Sequence, residues 1–553
     1  MNIKPFFKCL RCFVILLLLV VFQEASGNNK RVYRINKTID LNGDTLVLNP
    51  NSKLLFKRNG KIINGCILGN NSTIVSNLQR VRFGEDVVFA GSFNCDLEYD
   101  WLYESDCYIK DSSVVIFNRQ YNVKVAKGIN QWYNFQNVFK RLNGAFKGLH
   151  FNKRYVLDNP NKKYVTSSNL IQIFDRVENL VISGGVFYNA GLAFYNWSNI
   201  EIKDLCIIGR YHDFKDRSLD VNWSEFHDEN GEALCYNSVG LHLTSPYNSA
   251  QVNSNAKIYN VSVESCYNGI YIGRWSGTDP ELRTVKDVTV SSCHVRNVIY
   301  HGYASCNCDR VKFDRNYGEN SYLGTLIDIS RGSSNVVFSN GIGKNYPQPF
   351  KIANNNNHSP TVDCCIDSCS VSVSSILRDC TFGPSITLFG LGNCSIDNND
   401  ITYLDSNGVT LLSIACIEGE SKYSFSNNLI RNNPCSCLVR YTISGHPQSS
   451  SSTINFYNNN IQSYYSGATL YGVIVDDMRT KYANVSAIIS FKNNRISSNY
   501  EETIPKLRIL RRQGTSDYPL LGKVLFDNNL ISHPIIDINV GDTLGSNSYV
   551  LPL

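Results

Sequence analysis

Side chains that could do acid–base or electrostatic chemistry recur at equivalent positions between residues 239 and 332. Four short motifs there place a central residue between two apolar or small ones, as in a strand with one buried face. They are Leu241-His242-Leu243, Ile270-Tyr271-Ile272, Gly302-Tyr303-Ala304 and Ile327-Asp328-Ile329. With the last residue of each motif pointing inward, the aligned motifs predict one outward column, made of His242, Tyr271, Tyr303 and Asp328.

Cationic and basic side chains accompany this column. Arg274 and Trp275 follow the second motif, Arg331 follows the fourth, and His301 precedes the third. A lyase that acts on a uronic acid needs a cation to neutralise the sugar carboxylate and a base to remove the C5 proton. We expect Arg274 or Arg331 to be the cation, and His301 or a tyrosine to be the base.

A glycoside hydrolase would instead need two carboxylates on either side of the scissile bond. Asp328 is one candidate, and the acidic segment 225–229 (Glu225, His227, Asp228 and Glu229) could supply another. The candidate catalytic residues are His301, Asp328, Arg331 and Arg274, and the candidate substrate-binding residues are His242, Tyr271, Trp275 and Tyr303. This hypothesis requires His301, Asp328 and Arg331 to share an accessible cleft.

Each of these features also has an ordinary explanation. The chain has 32 tyrosines, so two aligned phenols are expected by chance, and an outward histidine is usually just solvated. Arg274 and Arg331 could pair with Asp279 and Asp328. The segment 225–229 reads as a solvated loop more readily than as a calcium site, so we expect no metal and no cofactor.

A repeat in the last third of the chain indicates the elements that position these residues. It reads apolar-x-Asn-Asn-x-Ile and occurs five times, with the first asparagines 29, 31, 35 and 35 residues apart. The five Asn pairs are Asn398-Asn399, Asn427-Asn428, Asn458-Asn459, Asn493-Asn494 and Asn528-Asn529. Asparagine tolerates the left-handed conformation of a tight corner, and equivalent amides in stacked coils can hydrogen-bond to one another.

Upstream, the same corner is predicted with other residues: Cys266 and Cys293 replace the asparagine, and Asn316 retains it. One such coil cannot bury its apolar face alone, so the coils must stack. A β-sandwich would show hairpin turns between the units, and a propeller needs about 40–50 residues per blade. The sequence therefore predicts an all-β fold, a single right-handed parallel β-helix.

The start of the chain indicates export. Lys4, Lys8 and Arg11 precede a short apolar run, and Ala25-Ser26-Gly27 offers a cleavage site, so residues 1–27 read as a signal peptide. We divide the rest into an N-terminal β-rich cap (28–101), a linker with a short capping helix (102–165) and the β-helix (166–545). The protein is expected to be secreted, at the cell surface or periplasmic, with no transmembrane segment.

Composition limits the partners. Removing three positive charges and one negative charge with the signal lowers the formal net charge from +6 to +4, and no basic run follows, so nucleic acid is not expected. Of the 19 cysteines, Cys9 and Cys12 leave with the signal. We expect most of the others to be small buried residues and two or three pairs to form disulfides.

The N-terminal region resembles that of secreted bacterial β-helix proteins. The resemblance lies in the strand Ile39–Gly43 and in the segment KIINGCILGNNSTIVSN (Lys61–Asn77), and it ends at Trp101. The remainder is similar to the pectate-lyase-like superfamily, with Asn130–Leu142 (NQWYNFQNVFKRL) at the place of a capping helix. This resemblance implies the fold, and a groove along one sheet that holds an extended polysaccharide.

The catalytic motifs of that superfamily do not carry over. Only Tyr300-His301-Gly302-Tyr303 matches half of a Gly-His-Gly motif of the polygalacturonase-type hydrolases. The leading hypothesis is therefore a secreted polysaccharide lyase or glycoside hydrolase whose partner is an extracellular polysaccharide. The alternative is a non-catalytic glycan-binding or surface-structural β-helix. The oligomeric state is left open.

Overall fold

The computed structural model describes most of the chain between residues 31 and 549. The ranges left out within it are 77–79, 117–118, 161–169, 210–238, 247–249, 275–282, 322–323, 354–359, 375–385, 405–407, 417, 444–448, 468, 478–483, 499–505, 514–520, 532–534, 538–542 and 545–547. The signal segment, Trp275 and the acidic segment 225–229 all lie outside the described residues.

The described chain winds into stacked coils whose strands pair in parallel with their equivalents one coil away, which confirms the predicted right-handed parallel β-helix. Each coil contributes one strand to a 13-stranded sheet, here called sheet 1. Its strands are Leu170–Ile173, Gly191–Phe194, Val239–Leu243, Asn268–Gly273, Tyr303–Cys306, Thr325–Ser330, Gln348–Ala353, Ile386–Phe389, Gly408–Ala415, Cys435–Ile443, Thr469–Asp477, Lys506–Gln513 and Ile535–Asp537.

The other two strands of each coil, one before and one after the asparagine corner, form sheet 2. The strands before the corner are Gly148–Val156, Val177–Tyr188, Trp197–Lys203, Asn253–Tyr259, Val285–Ser291, Cys308–Asp314, Ser334–Ser339, Cys365–Asp367, Gly392–Asp397, Gly419–Ser426, Ser449–Tyr457, Asn484–Lys492, Leu521–Asp527 and Thr543–Leu544. The strands after it are Cys206–Ile208, Ser262–Glu264, His294–Val298, Tyr317–Ser321, Ile342–Tyr346, Ser370–Val373, Asp400–Tyr403, Leu429–Asn433, Asn460–Ser463, Arg495–Ser498, Leu530–Ile531 and Ser548–Tyr549.

The N-terminal region is also built from parallel strand pairs. Its strands are Val32–Ile35, Thr38–Asp40, Thr45–Val47, Lys53–Phe56, Lys61–Ile63, Gly65–Ser76, Val87–Phe93 and Leu97–Glu98, followed by the 3-10 turn Tyr99–Trp101. An antiparallel hairpin, Cys107–Ile116 with Arg119–Gly128, comes next. The predicted capping helix spans Trp132–Leu142.

The helix covers one end of the solenoid with an apolar stripe. Its Phe135, Val138, Phe139 and Leu142 are buried, at the i, i+3, i+4, i+7 spacing of one helix face. Phe139 contacts the ring of Phe194 at a centroid distance of 5.8 Å. Such a cap covers apolar surface that the terminal coil would otherwise expose to water.

The asparagine corners have the predicted geometry. The first asparagine of each repeat is left-handed, with φ between 52° and 59°. The second is buried and bonds to its equivalent in the next coil: Nδ2 of Asn428 donates to Oδ1 of Asn459 at 3.1 Å, and Nδ2 of Asn459 donates to Oδ1 of Asn494 at 3.0 Å. Each Oδ1 also accepts a backbone N–H of the neighbouring coil, so this polar column inside an apolar core satisfies its own groups.

Upstream, one of the two predicted cysteine replacements is confirmed and the other is wrong. Cys293 lies at the corner, where its backbone N–H donates to Oδ1 of Asn316 at 2.9 Å. Cys266 does not lie at the corner. The residue of its coil that is equivalent to Cys293 is Val261. The expected disulfides are also absent among the described residues, where all 15 cysteines are free thiols.

No helix among the described residues is long and apolar enough to cross a membrane.

Candidate active site on the outer face of sheet 1

The register of sheet 1 places the predicted residues. His242 pairs with Tyr271, Tyr271 with Ala304, Ala304 with Asp328, and Asp328 with Lys351. Their neighbours along each strand, such as Ile270 and Ile327, belong to the solenoid core. Because side chains alternate between the two faces of a strand, the paired residues form one column on the outer face.

Tyr303 does not belong to this column, so its predicted place is wrong. It pairs with Ile270 and Ile327, and its side chain is fully buried in the core. The phenol donates toward the carbonyls of Cys293 and Tyr317, at 2.9 and 2.8 Å. A ring held in this way inside the solenoid is not available to a polysaccharide.

His301, Asp328 and Lys351 form a charged cluster on this face. Nε2 of His301 lies 3.0 Å from Oδ2 of Asp328, and Nζ of Lys351 lies 3.1 Å from the same oxygen. Oδ1 of Asp328 has no hydrogen-bond partner in the part of the chain that the structure describes. Oδ2 of Asp328 therefore faces two nitrogens, whereas Oδ1 accepts from no described group.

The protonation states within the cluster follow from its burial. Burial lowers the pKa of His301, and it outweighs the opposite effect of the Asp328 carboxylate. Burial alone would raise the pKa of Asp328, but the neighbouring His301 and Lys351 outweigh it and hold that pKa well below its usual value. At neutral pH the cluster therefore consists of a neutral imidazole, a carboxylate and an ammonium.

Thr325 fixes the tautomer of His301. Its backbone N–H donates to Nδ1 of His301 at 3.2 Å, and its hydroxyl lies 2.8 Å from the same nitrogen. Nδ1 therefore carries the lone pair and Nε2 carries the proton, which faces the Asp328 carboxylate. The basic nitrogen of the imidazole is thus occupied by Thr325.

His242 and Tyr271 extend the column toward the N-terminus. Their rings meet edge to face at a centroid distance of 4.8 Å, and Nε2 of His242 donates to the carbonyl of Gly273 at 2.8 Å. Burial lowers the pKa of His242 to about 4 and raises the pKa of Tyr271 well above its usual value. Both side chains are therefore uncharged at neutral pH.

The two predicted arginines lie at the ends of neighbouring strands. Arg274 is buried, and its backbone N–H donates to the carbonyl of Cys306 at 2.8 Å. Arg331 is half-buried, in a left-handed conformation with φ of 51°, directly after the strand of Asp328. Its positive charge opposes protonation of His301, so its charge acts on the cluster.

The outer face is more buried than a groove requires. The exposed fractions of His242, Tyr271 and Asp328 are 9%, 1% and 6%, and that of His301 is 3%. The Lys351 side chain, with 19% exposed, and the half-buried Arg331 are more accessible. His301 and Asp328 are therefore in contact, but they form a buried base beneath an accessible cationic rim, so the shared open cleft that the hypothesis requires is not observed.

Several solved structures have a similar chain path. One is the A-module of the mannuronan C-5 epimerase AlgE6 of Azotobacter vinelandii, with a TM-score of 0.41 and 11% identity over 77% of this chain and 96% of that chain. The catalytic domain of Agl-KA has a TM-score of 0.40 and 12% identity, over 74% and 67%. PfbA, a surface adhesin of Streptococcus pneumoniae, has a TM-score of 0.37 and 11% identity, over 75% and 83%. No protein-family model and no curated protein matches the sequence.

Lys351, a member of the cluster, and Thr325, which bonds to His301, are absent from the sequence-based prediction. A signal for Lys351 was available, because Phe350-Lys351-Ile352 repeats the apolar-x-apolar motif one coil after Asp328. No comparable signal exists for Thr325, whose contact with His301 depends on how the chain turns before the strand. No described group of three or more His, Cys, Asp or Glu side chains is arranged to hold a metal ion.

Proposed function

We propose that this chain is an exported, carbohydrate-active β-helix protein that engages an acidic extracellular polysaccharide along the outer face of sheet 1. The observation that carries the proposal is the charge around Asp328. His301 is neutral, and Asp328 is the one carboxylate in the column from His242 to Lys351, whereas Lys351, Arg331 and Arg274 are cationic. Cationic side chains at the rim of a partly desolvated face favour an anionic polymer.

These charges fit β-elimination better than hydrolysis. Hydrolysis needs two carboxylates, and the column from His242 to Lys351 offers only Asp328. In an elimination, a base removes the C5 proton, the electron pair forms the C4–C5 double bond, and the C4–O bond breaks with protonation of the leaving oxygen. Lys351 or Arg331 would neutralise the uronate carboxylate. His301 could accept the proton only after its Nδ1 releases Thr325.

A second candidate function is binding without cleavage. The specific observation in its favour is that Nδ1, the basic nitrogen of His301, already accepts from Thr325, and that His301 and Asp328 are buried. In this case the buried pair only holds Lys351 at the rim, where its ammonium would bind the polymer. The two functions thus share a binding surface, and they differ in whether His301 accepts a proton from the polymer.

The test is incubation of the full mature chain with a panel of acidic and neutral polysaccharides. Ultraviolet absorbance from unsaturated products would support elimination, and new reducing ends without that absorbance would indicate hydrolysis instead. Binding of an acidic polymer without either product, unchanged in His301→Ala, would support the second function.

Lys351→Met should weaken binding in both cases, and Lys257→Met, which changes an exposed lysine on sheet 2, is the matched control. Absence of binding to every acidic polymer would overturn the proposal as a whole.

A further inference from the structure

A concave site lies on sheet 2, at the junction between the N-terminal region and the first coils. It is a cleft of about 720 Å³, within the range of about 300–1,000 Å³ that is usual for small-ligand sites. Its walls come from the start of the hairpin, the strand Gly148–Val156 and the corner after Lys203. The lining residues that matter below are Asp106, Asn152, Arg154, Gly185, Asp204 and Asn260.

A bulge shapes one wall of this cleft. Phe151 pairs with Gly184 and Arg154 pairs with Val186, so two residues of one strand oppose the single Gly185 of the next. Gly184 and Gly185 have φ of 77° and 85°, and a Cβ at Gly184 would lie 2.2 Å from the carbonyl oxygen of Phe151. Bulges of this kind redirect side chains next to functional sites.

Residues after the bulge alternate between the interior and the cleft. Lys153 and Tyr155 both reach the buried Asp100, with Nζ of Lys153 at 3.3 Å and the Tyr155 hydroxyl at 3.2 Å. Since side chains alternate along a strand, Asn152 and Arg154 point the other way, toward the cleft. The buried contacts therefore hold Arg154 at the cleft wall.

The Arg154 side chain carries a charge that is not part of an ion pair with another described residue. Lys153 is neutralised by Asp100, and Asn152 donates to Oε2 of Glu98 at 2.9 Å, but Arg154 forms no ion pair or hydrogen bond with another described residue. Two carboxylates also line the cleft: Asp106, and Asp204, which accepts from Nδ2 of Asn260 at 2.6 Å. The site thus offers the guanidinium of Arg154 as a donor, and the carboxylates of Asp106 and Asp204 as acceptors.

We propose that this cleft binds a single uronic acid residue of a glycan, with the Arg154 guanidinium on the sugar carboxylate and Asp106 and Asp204 accepting from its hydroxyls. The guanidinium matches a carboxylate with two parallel hydrogen bonds. A dianionic sulfate or phosphate would be repelled by the two aspartates, and a neutral sugar would leave the cation unpaired. This combination of groups selects a ligand with one negative charge and several hydroxyls.

The experiment is calorimetric titration of the full mature chain with a uronic acid trisaccharide, a neutral trisaccharide and inorganic sulfate. We expect the uronic acid ligand to bind with 1:1 stoichiometry and Arg154→Gln to weaken this binding tenfold or more. Arg495→Gln, which changes an exposed arginine on a distant coil, should alter it less than twofold. Arg154 has no partner to lose among the described residues, so an unchanged melting temperature should accompany the loss.

Equal binding of the neutral sugar or of sulfate, or binding that Arg154→Gln leaves intact, would overturn the assignment. Arg154→Gln also separates this site from sheet 1, because it should weaken the trisaccharide titration and leave the binding of a long acidic polymer to sheet 1 within twofold of the wild type. If Lys351→Met abolishes the trisaccharide binding instead, the ligand sits on sheet 1 and the cleft is not its site.

Discussion

Nε2 of His301 lies 3.0 Å from Oδ2 of Asp328, which places a neutral imidazole against an ionised carboxylate at the base of the outer face of sheet 1. Burial disfavours the imidazolium, and the nearby Lys351 supplies the positive charge that the carboxylate needs. The arrangement therefore depends on Lys351 for its stability as well as for any ligand contact. This dependence can be measured without a substrate.

Replacing Lys351 by methionine should destabilise the protein. The substitution leaves Asp328 as a buried charge without a cation, and breaking a buried ion pair costs about 3 kcal/mol in the free energy of unfolding. Adding Asp328→Asn should recover most of this loss, because it removes the buried negative charge that Lys351 balances. Urea unfolding of the wild type, both single variants and the double variant gives the coupling energy between Lys351 and Asp328.

The control for this cycle is an ion pair at the surface. Lys422 and Glu420 lie 3.8 Å apart with both side chains mostly exposed, and Lys422→Met should cost less than about 0.5 kcal/mol. A loss for Lys351→Met as small as this control, or no recovery in the double variant, would contradict the charge assignment of the cluster.

Acidification should destabilise the protein before its carboxylates titrate. Burial lowers the pKa of His242 to about 4, whereas an exposed histidine of the unfolded chain titrates near about 6.5. Between these values the unfolded chain binds more protons than the folded chain, so the free energy of unfolding falls as the pH is lowered from 6.5 toward 4. His301, whose pKa is also lowered, acts in the same direction.

The substitution that checks this effect is His242→Gln, whose amide can still donate to the carbonyl of Gly273. It should flatten the dependence of unfolding free energy on pH between 7 and 4 by about 3 kcal/mol at most, measured by urea unfolding across this range. An identical slope in His242→Gln would show that His242 does not titrate as its burial implies.

Sequence periodicity was sufficient for the solenoid but not for the register of every strand. The asparagine corners specify their own backbone conformation and their own partners, so Asn428, Asn459 and Asn494 could be placed from sequence alone. Tyr303 could not, because Tyr303-Ala304-Ser305 and Gly302-Tyr303-Ala304 alternate equally well. The phenol lies inside, where it donates toward the carbonyl of Cys293 at a corner and that of Tyr317 on another strand.

The sequence was sufficient to predict which residues of the candidate site share a face, but not how accessible that face is. His242, Tyr271 and Asp328 share a face, as their spacing indicated, because the coils around them have regular sheet 1 strands. How far that face is covered depends on the segments between strands, where no repeat constrains the chain. Burial of His301 and Asp328 is therefore a tertiary property that strand patterns do not encode.

The free thiols should differ sharply in reactivity. Five described cysteines are half-buried, namely Cys66, Cys95, Cys107, Cys206 and Cys365, and ten are buried. Burial raises the pKa of Cys293 and of Cys266 to about 12, and the thiolate is the reactive form. Brief labelling with N-ethylmaleimide at pH 8, read by peptide mass spectrometry, should modify only half-buried members of this set, and the buried ten should react after denaturation. Labelling of Cys293 as fast as of Cys66 would contradict the structure.

Asn459 should contribute more to stability than an equivalent residue outside the corner. Its amide donates to the carbonyl of Phe425 and to Asn494, and its oxygen accepts from Asn428. Asn459→Ala leaves these buried groups without partners, which costs about 2–4 kcal/mol in the free energy of unfolding.

The neighbouring Asn460, which lies on the outer side of the next strand, is the matched control, and Asn460→Ala should cost less than about 0.5 kcal/mol. Asn458 separates backbone conformation from side-chain bonding, because its φ of 53° suits glycine: Asn458→Gly should be close to neutral, and Asn458→Ala should cost about 1 kcal/mol. Thermal and urea unfolding of the four variants decide the matter, and equal losses for Asn459→Ala and Asn460→Ala would mean that the amide column does not stabilise the coils.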